Sequence, residues 1–123
     1  MKGNYALFGT QKKEPIPSGV TNSQRLRIER GYRKIRDHLT KKDIDGAIKD
    51  IKGNPIQKPD GNGSYQHYKE VDDAVRGLIK EKDSLIKSIQ NPNLKPDIKD
   101  YLKSVIHDFE IKIDEWNRIK GRK

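Results

Sequence analysis

His38, His67 and His107 are the only histidines in the chain, and imidazole is the side chain whose ordinary pKa lies closest to neutrality. Counting about 100° per residue along a helix, His107 lies opposite an Ile98–Val105–Phe109 stripe and points to solvent. His67 differs. A Val71–Val75–Leu78 stripe, extended backwards, covers His67 and Tyr68, which places both toward the interior or a cleft at the start of a long helix. Two readings of His67 stand side by side: a core histidine with one satisfied hydrogen bond, or a proton-transfer group in a cleft shared with Tyr65, Tyr68, Lys69 and Glu70. His38 sits in the last turn of a basic helix beside Arg36 and Asp37, where the helix C-terminus favours its protonated form. If that helix end meets the start of the His67 helix, the two histidines flank one phosphodiester. Metal-free cleavage of RNA needs a base for the 2′-OH, an acid for the leaving 5′-oxygen, and cations to hold charge developing on phosphorus. Arg33, Arg36, Lys52 and Lys69 would supply the cations, and Lys41 and Lys42 extend the basic run. The histidines are 29 residues apart, so their spacing alone does not establish this.

Other constellations fail on their own terms. Asp43, Asp45 and Asp50 lie on a helical pattern and lack the terminal Glu of a calcium loop. Adjacent helical residues point about 100° apart, so Asp72 and Asp73 read as a solvated face, not a metal pair. The chain has no Gly-x-Ser-x-Gly, no phosphate-binding P-loop and, with no cysteine, no thiolate zinc site. No metal and no cofactor is expected. The basic helix has a narrow apolar stripe with neither Trp nor Phe, which fits a membrane surface poorly.

These residues need elements to hold them. The chain has 123 residues, 31% hydrophobic and 37% charged, enough for one domain with one modest core built from singly striped helices. No apolar run approaches the roughly 20 residues of a membrane span, and there is no signal-peptide pattern. The net charge of +9 is uneven: residues 1–63 carry 14 Lys/Arg against 7 Asp/Glu, residues 64–123 carry 13 against 11. Thr21–Lys42 alone holds eight bases and two acids, a concentration that suits a polyanion such as nucleic acid; plain solubility is the other explanation.

Met1–Val20, broken by Pro15, Pro17 and Gly19, reads as a linker or arm, with Tyr5, Leu7 and Phe8 as residues able to dock on a partner; residues 21–123 read as one domain. A first helix starts at Thr21-Asn22-Ser23 and buries Ile28, Tyr32, Ile35 and Leu39. Thr40 and Asp43 resemble a capping box for a short second helix with Ile44, Ala47, Ile48 and Ile51 inward and Gly53 just past its end. Asn54–Ser64, with Pro-Asp-Gly-Asn-Gly at 59–63, reads as a loop. A third helix runs on from the Val71 stripe through Leu85 and Ile89 to a stop at Asn91-Pro92. Pro96 opens a fourth, with Ile98, Leu102, Val105, Phe109, Ile113 and Trp116 inward. The prediction is an all-α fold of about four helices, with a C-terminal antiparallel helical hairpin and a short N-terminal arm.

In order along the chain, Asp37-His38-Leu39-Thr40, Asp43…Gly46-Ala47…Asp50…Gly53-Asn54-Pro55, Tyr65-Gln66-His67…Glu70-Val71…Ala74…Gly77-Leu78 and Asn91-Pro92-Asn93-Leu94 resemble the type 28 polymorphic toxin domain. That domain occurs as the C-terminal toxin of bacterial polymorphic toxin systems, including some contact-dependent growth-inhibition proteins, and the resemblance spans about Ile35 to Ile119. It implies an all-helical ribonuclease, exported as part of a larger protein, delivered into the cytoplasm of a target bacterium and neutralised by a cognate immunity protein. It further implies tRNA as substrate, cut near the 3′ acceptor end, with elongation factor Tu as an accessory partner. His38 and His67 are the matched histidines, and Asp37 and Glu70 the matched acids; with Tyr68 they form the candidate catalytic set, acid and base unassigned. The residues themselves leave two alternatives open: a basic helical module that binds RNA or DNA without cutting it, and a helical adaptor for an acidic protein.

Overall fold

The computed structural model describes residues 15–61, 63 and 66–121. Most of the expected arm, with Tyr5, Leu7 and Phe8, lies outside the described residues, as does Tyr65 in the central loop. Four helices follow in order: α1 (Asn22–His38), α2 (Lys41–Ile51), α3 (His67–Ile89) and α4 (Pro96–Lys120). No strand forms among the described residues. The fold is all-α, as the apolar spacing predicts.

Local chemistry explains the boundaries. Thr21 and Gln24 close a reciprocal capping box at the start of α1, each side chain bonding the other's backbone N–H at 3.0 Å. Thr40 and Asp43 do the same for α2, Asp43 taking the Glu or Gln position of that motif. α2 ends in a Schellman turn: Gly53, at φ +81°, donates to the Asp50 carbonyl, and Asn54 donates to that of Lys49. Pro96 opens α4, where its missing N–H leaves nothing unsatisfied. The start of α3 is the exception. Its N-cap, Gln66, makes no side-chain cap bond; the carboxylate of Asp50, on α2, accepts from the Tyr68 backbone N–H at 2.8 Å instead.

Side-chain pairs fix the packing. Asp72, near the start of α3, accepts from the Trp116 indole and from Lys120, near the end of α4, both at 2.9 Å, so α3 and α4 form the expected antiparallel hairpin. Glu81 of α3 pairs with Arg27 of α1 at 3.1 Å and Lys34 at 3.6 Å, while Glu70 and Asp73 lie beside the far end of α1. α1 therefore also runs antiparallel to α3, and α2 crosses the first turn of α3. The core holds Ile28, Ile35, Leu39, Val71, Leu78, Leu85, Leu102, Val105, Phe109 and Trp116, all essentially out of water. The Phe109 ring fills the space over Gly31 and meets Tyr32 edge-on at 5.1 Å. Ile16 and Val20, just ahead of α1, pack on the same core.

The expectation for Asp72 is overturned. It is buried, 9% exposed, and ties α3 to α4 through Trp116 and Lys120, with Arg76 of its own helix on the other carboxylate oxygen. Burial is the largest single influence on its carboxyl and pushes upward. The hydrogen bonds from Trp116 and Lys120, with the charges of Lys120 and Arg76, together outweigh it and hold the group below its ordinary value. Asp73, one position on, is exposed and pairs with Lys69.

Candidate active site

Because α1 runs antiparallel to α3, the C-terminal turns of α1 meet the first turns of α3. Between them lies an open groove of about 460 Å³, lined by Arg30, Arg33, Lys34, Asp37 and His38 from α1 and by Glu70, Asp73 and Ala74 from α3. Of the candidates named from the sequence, four line it: His38, Asp37, Glu70 and Arg33. Three further charged residues, Arg30, Lys34 and Asp73, line it without having been singled out as site residues. Lys34 reaches the groove with its side chain laid across Gly77, where a Cβ would stand 2.4 Å from its Cε.

His67 is not among the groove's lining residues. It is the first residue of α3, half-buried, with its ring against Gly46 in the middle of α2. A Cβ on Gly46 would stand 2.5 Å from the imidazole Cγ, so the ring occupies the space any other residue there would fill. Three residues on, Glu70 is about 60° away around the helix and about 4.5 Å further along its axis. His67 thus faces α2 and Glu70 faces the groove, on adjoining strips of one turn. Tyr68 turns the other way and packs on Trp116, ring centroids 5.3 Å apart.

Electrostatics separate the two acids on the groove. Asp37 is held by Arg36, Nε to Oδ1 at 2.8 Å and a second guanidinium nitrogen to Oδ2 at 3.2 Å. That hydrogen bond lowers the Asp37 carboxyl below the usual carboxylate range. A small loss of solvent opposes it, and the charges of Arg36, His38 and Arg33 add to the lowering. A carboxylate so stabilised is a weak proton acceptor. Glu70 makes no ion pair among the described residues. The expected cations also divide. Lys41 and Lys69 are engaged i,i+4 with Asp45 and Asp73, each at 2.8 Å, and both ammonium groups are held above their ordinary value chiefly by that hydrogen bond. Arg36 is taken up by Asp37. Lys42 is exposed on the first turn of α2, and Lys52 is exposed as its C-cap, beyond the groove's lining. Arg30 and Arg33 remain exposed on the groove wall.

Among the described residues, no three His, Asp or Glu side chains converge to hold a metal ion, and no helix is long and apolar enough to cross a membrane.

The domain is small, basic and all-helical, and His38, Asp37 and Glu70 share its groove with Arg30 and Arg33. The chain belongs to the bacterial toxin 28 family, whose pattern it matches over residues 19–120. It is also similar to the tRNA nuclease CdiA of Escherichia coli O6:K15:H31 (strain 536 / UPEC), with 32% identity over 82 residues. That match covers 67% of this chain and 2% of the far longer relative.

Proposed function

We propose that this domain is an antibacterial toxin ribonuclease that cuts tRNA, with the first turn of α3 as its proton-transfer element and the α1–α3 groove as its phosphate cradle. Glu70 takes the proton from the attacking 2′-OH, as the groove carboxylate that makes no ion pair among the described residues. His67 gives a proton to the departing 5′-oxygen. Arg30, Arg33 and His38 face the charge that builds on the phosphoryl oxygens. Asp37 keeps Arg36 in place and tempers the local positive charge.

The observation that carries this reading is the seat of His67. A glycine in the middle of a helix is unfavourable by about 1 kcal/mol relative to alanine, and at Gly46 the neighbour occupying the vacated space is the His67 ring. His38, by contrast, is exposed on a terminal turn. A fixed ring beside an ion-pair-free carboxylate suits proton transfer better than a mobile one. tRNA as substrate, delivery into a neighbouring cell from a larger protein, and blockade by an immunity protein rest on the family and on the similarity to CdiA. The family resemblance adds elongation factor Tu to this reading as an accessory factor.

The pure domain is to be incubated with total bacterial RNA, with and without elongation factor Tu bound to GTP in Mg²⁺, and without the factor in EDTA. Discrete shortening of tRNA is expected, and sequencing the fragment ends locates the bond, at the acceptor end or elsewhere. Cutting that persists in EDTA supports acid–base chemistry by the side chains alone. Intact RNA in every lane, from folded protein, would leave a nucleic-acid-binding module instead.

A further inference from the structure

We infer that Asp50 is a positioning residue for the proposed cleavage, acting from α2 on the helix that carries His67 and Glu70. The inference rests on the assignment of those two residues. α3 begins without a cap of its own, since Gln66 makes no side-chain bond to the helix and Gln66 itself adopts neither helical nor extended backbone angles. The first N–H groups of a helix have no partner inside it and fray unless something binds them. Here one Asp50 oxygen accepts from the Tyr68 N–H at 2.8 Å, across 18 residues of sequence. Tyr68 lies between the two proposed catalytic residues, so fixing its amide fixes the backbone from which both side chains project. The carboxylate also meets the positive end of the α3 dipole, where negative charge is favourable.

Two further observations set Asp50 apart from an ordinary cap. Its second oxygen, Oδ1, is buried with no hydrogen-bond partner among the described residues, an arrangement unfavourable for a carboxylate. And Asp50 lies four residues beyond Gly46 on the same helix, so α2 presents both the seat for the His67 ring and the acceptor for the adjoining amide on one face. α2 thereby grips the first turn of α3 by a ring contact and a hydrogen bond together. Removing the acceptor leaves that turn free to fray and both groups displaced from the phosphate.

The test compares Asp50→Ala and Asp50→Asn in the full chain, with total bacterial tRNA as substrate. Thr21→Ala serves as a stability control, because it removes the cap at the far end of α1. The expected result for Asp50→Ala is a kcat lower by about 10- to 100-fold, the range a displacement of order 1 Å produces, with KM within about twofold. Asp50→Asn keeps an acceptor oxygen and should recover to within about threefold of the parent. Thr21→Ala should lose thermal stability while keeping kcat. An Asp50→Ala variant that merely melts earlier, with kcat intact like Thr21→Ala, would show Asp50 to be structural only. An Asp50→Asn variant as slow as Asp50→Ala would overturn the hydrogen bond as the cause. If instead His67→Ala and Glu70→Gln both cut tRNA normally, the assignment of the site itself fails, a result distinct from either of these and one that removes this inference with it.

Discussion

Two sides of α3 treat charge in opposite ways. Where α3 meets the end of α4 and the middle of α1, its acids are buried and saturated: Asp72 is bound by Trp116, Lys120 and Arg76, and Glu81 by Arg27 and Lys34. Where the first turn of α3 meets α2 and the end of α1, Glu70 stands on a groove without an ion pair among the described residues, a histidine ring fills the space over Gly46, and the helix cap is borrowed from another element. The first region has its polar groups matched within the protein, as a stable interior requires. In the second, the Glu70 carboxylate makes no ion pair and the Asp50 Oδ1 no hydrogen bond among the described residues. That is the condition a site needs to act on something else, and it is the physical basis for placing function there.

The contrast can be broken most severely through Trp116. Trp116→Ala removes the largest core side chain and the indole donor to Asp72. A loss of about 3–5 kcal/mol is expected, read as a fall in the denaturation midpoint steep enough to compromise folding at growth temperature. Gly46→Ala probes the opposite region. Alanine is the better helix former, but its Cβ would stand 2.5 Å from the His67 Cγ, so the ring must move; about 1–3 kcal/mol of stability should be lost and tRNA cleavage should fall by about 100-fold. Stability lost with activity kept would assign His67 to the core.

Acid titration sharpens the comparison further. The Asp72 carboxyl is lowered in the folded protein, so its contribution to stability is fully present above the ordinary aspartate range of about 3.9. That contribution is lost as pH falls through the depressed folded value. Asp72→Asn should therefore be less stable than the parent near neutrality and converge toward it below about pH 4, as followed by urea midpoints across pH. The smallest effect belongs to Lys69. Its pair with Asp73 is exposed, 68% and 56% for the two side chains, and Lys69→Ala should leave the urea midpoint essentially unchanged. Its effect on RNA binding should be a salt slope shallower by roughly one phosphate contact or none.

Periodicity and cap chemistry made the helices legible. The Ile28–Tyr32–Ile35–Leu39 and Ile98–Phe109–Trp116 stripes are core, Thr40 and Asp43 close their box, and Gly53 takes the left-handed turn. Those features act within a few residues of sequence, which is why they can be read there. Asp72 could not be. A carboxylate flanked by another carboxylate looks solvated until α4 supplies an indole and an ammonium 44 and 48 positions away. Glu81 was hidden for the same reason. In the site, His38, Asp37, Glu70 and Arg33 were visible by residue type, but which of them share a groove depends on the antiparallel docking of α1 on α3. The borrowed cap at Asp50 is likewise a tertiary fact, since nothing local ties it to Tyr68. One signal was available: the helix-interior glycines Gly31, Gly46 and Gly77, each unfavourable for its helix, mark where Phe109, His67 and Lys34 come close.

The most direct test is a single-turnover measurement of tRNA cleavage by His67→Gln, with RNA affinity and melting temperature measured on the same preparation. Removal of a proton-transfer group should slow cleavage by about 100-fold or more, while affinity and folding stay close to those of the parent. Undiminished cleavage by a folded His67→Gln protein would contradict the assignment of the first turn of α3 as the catalytic element.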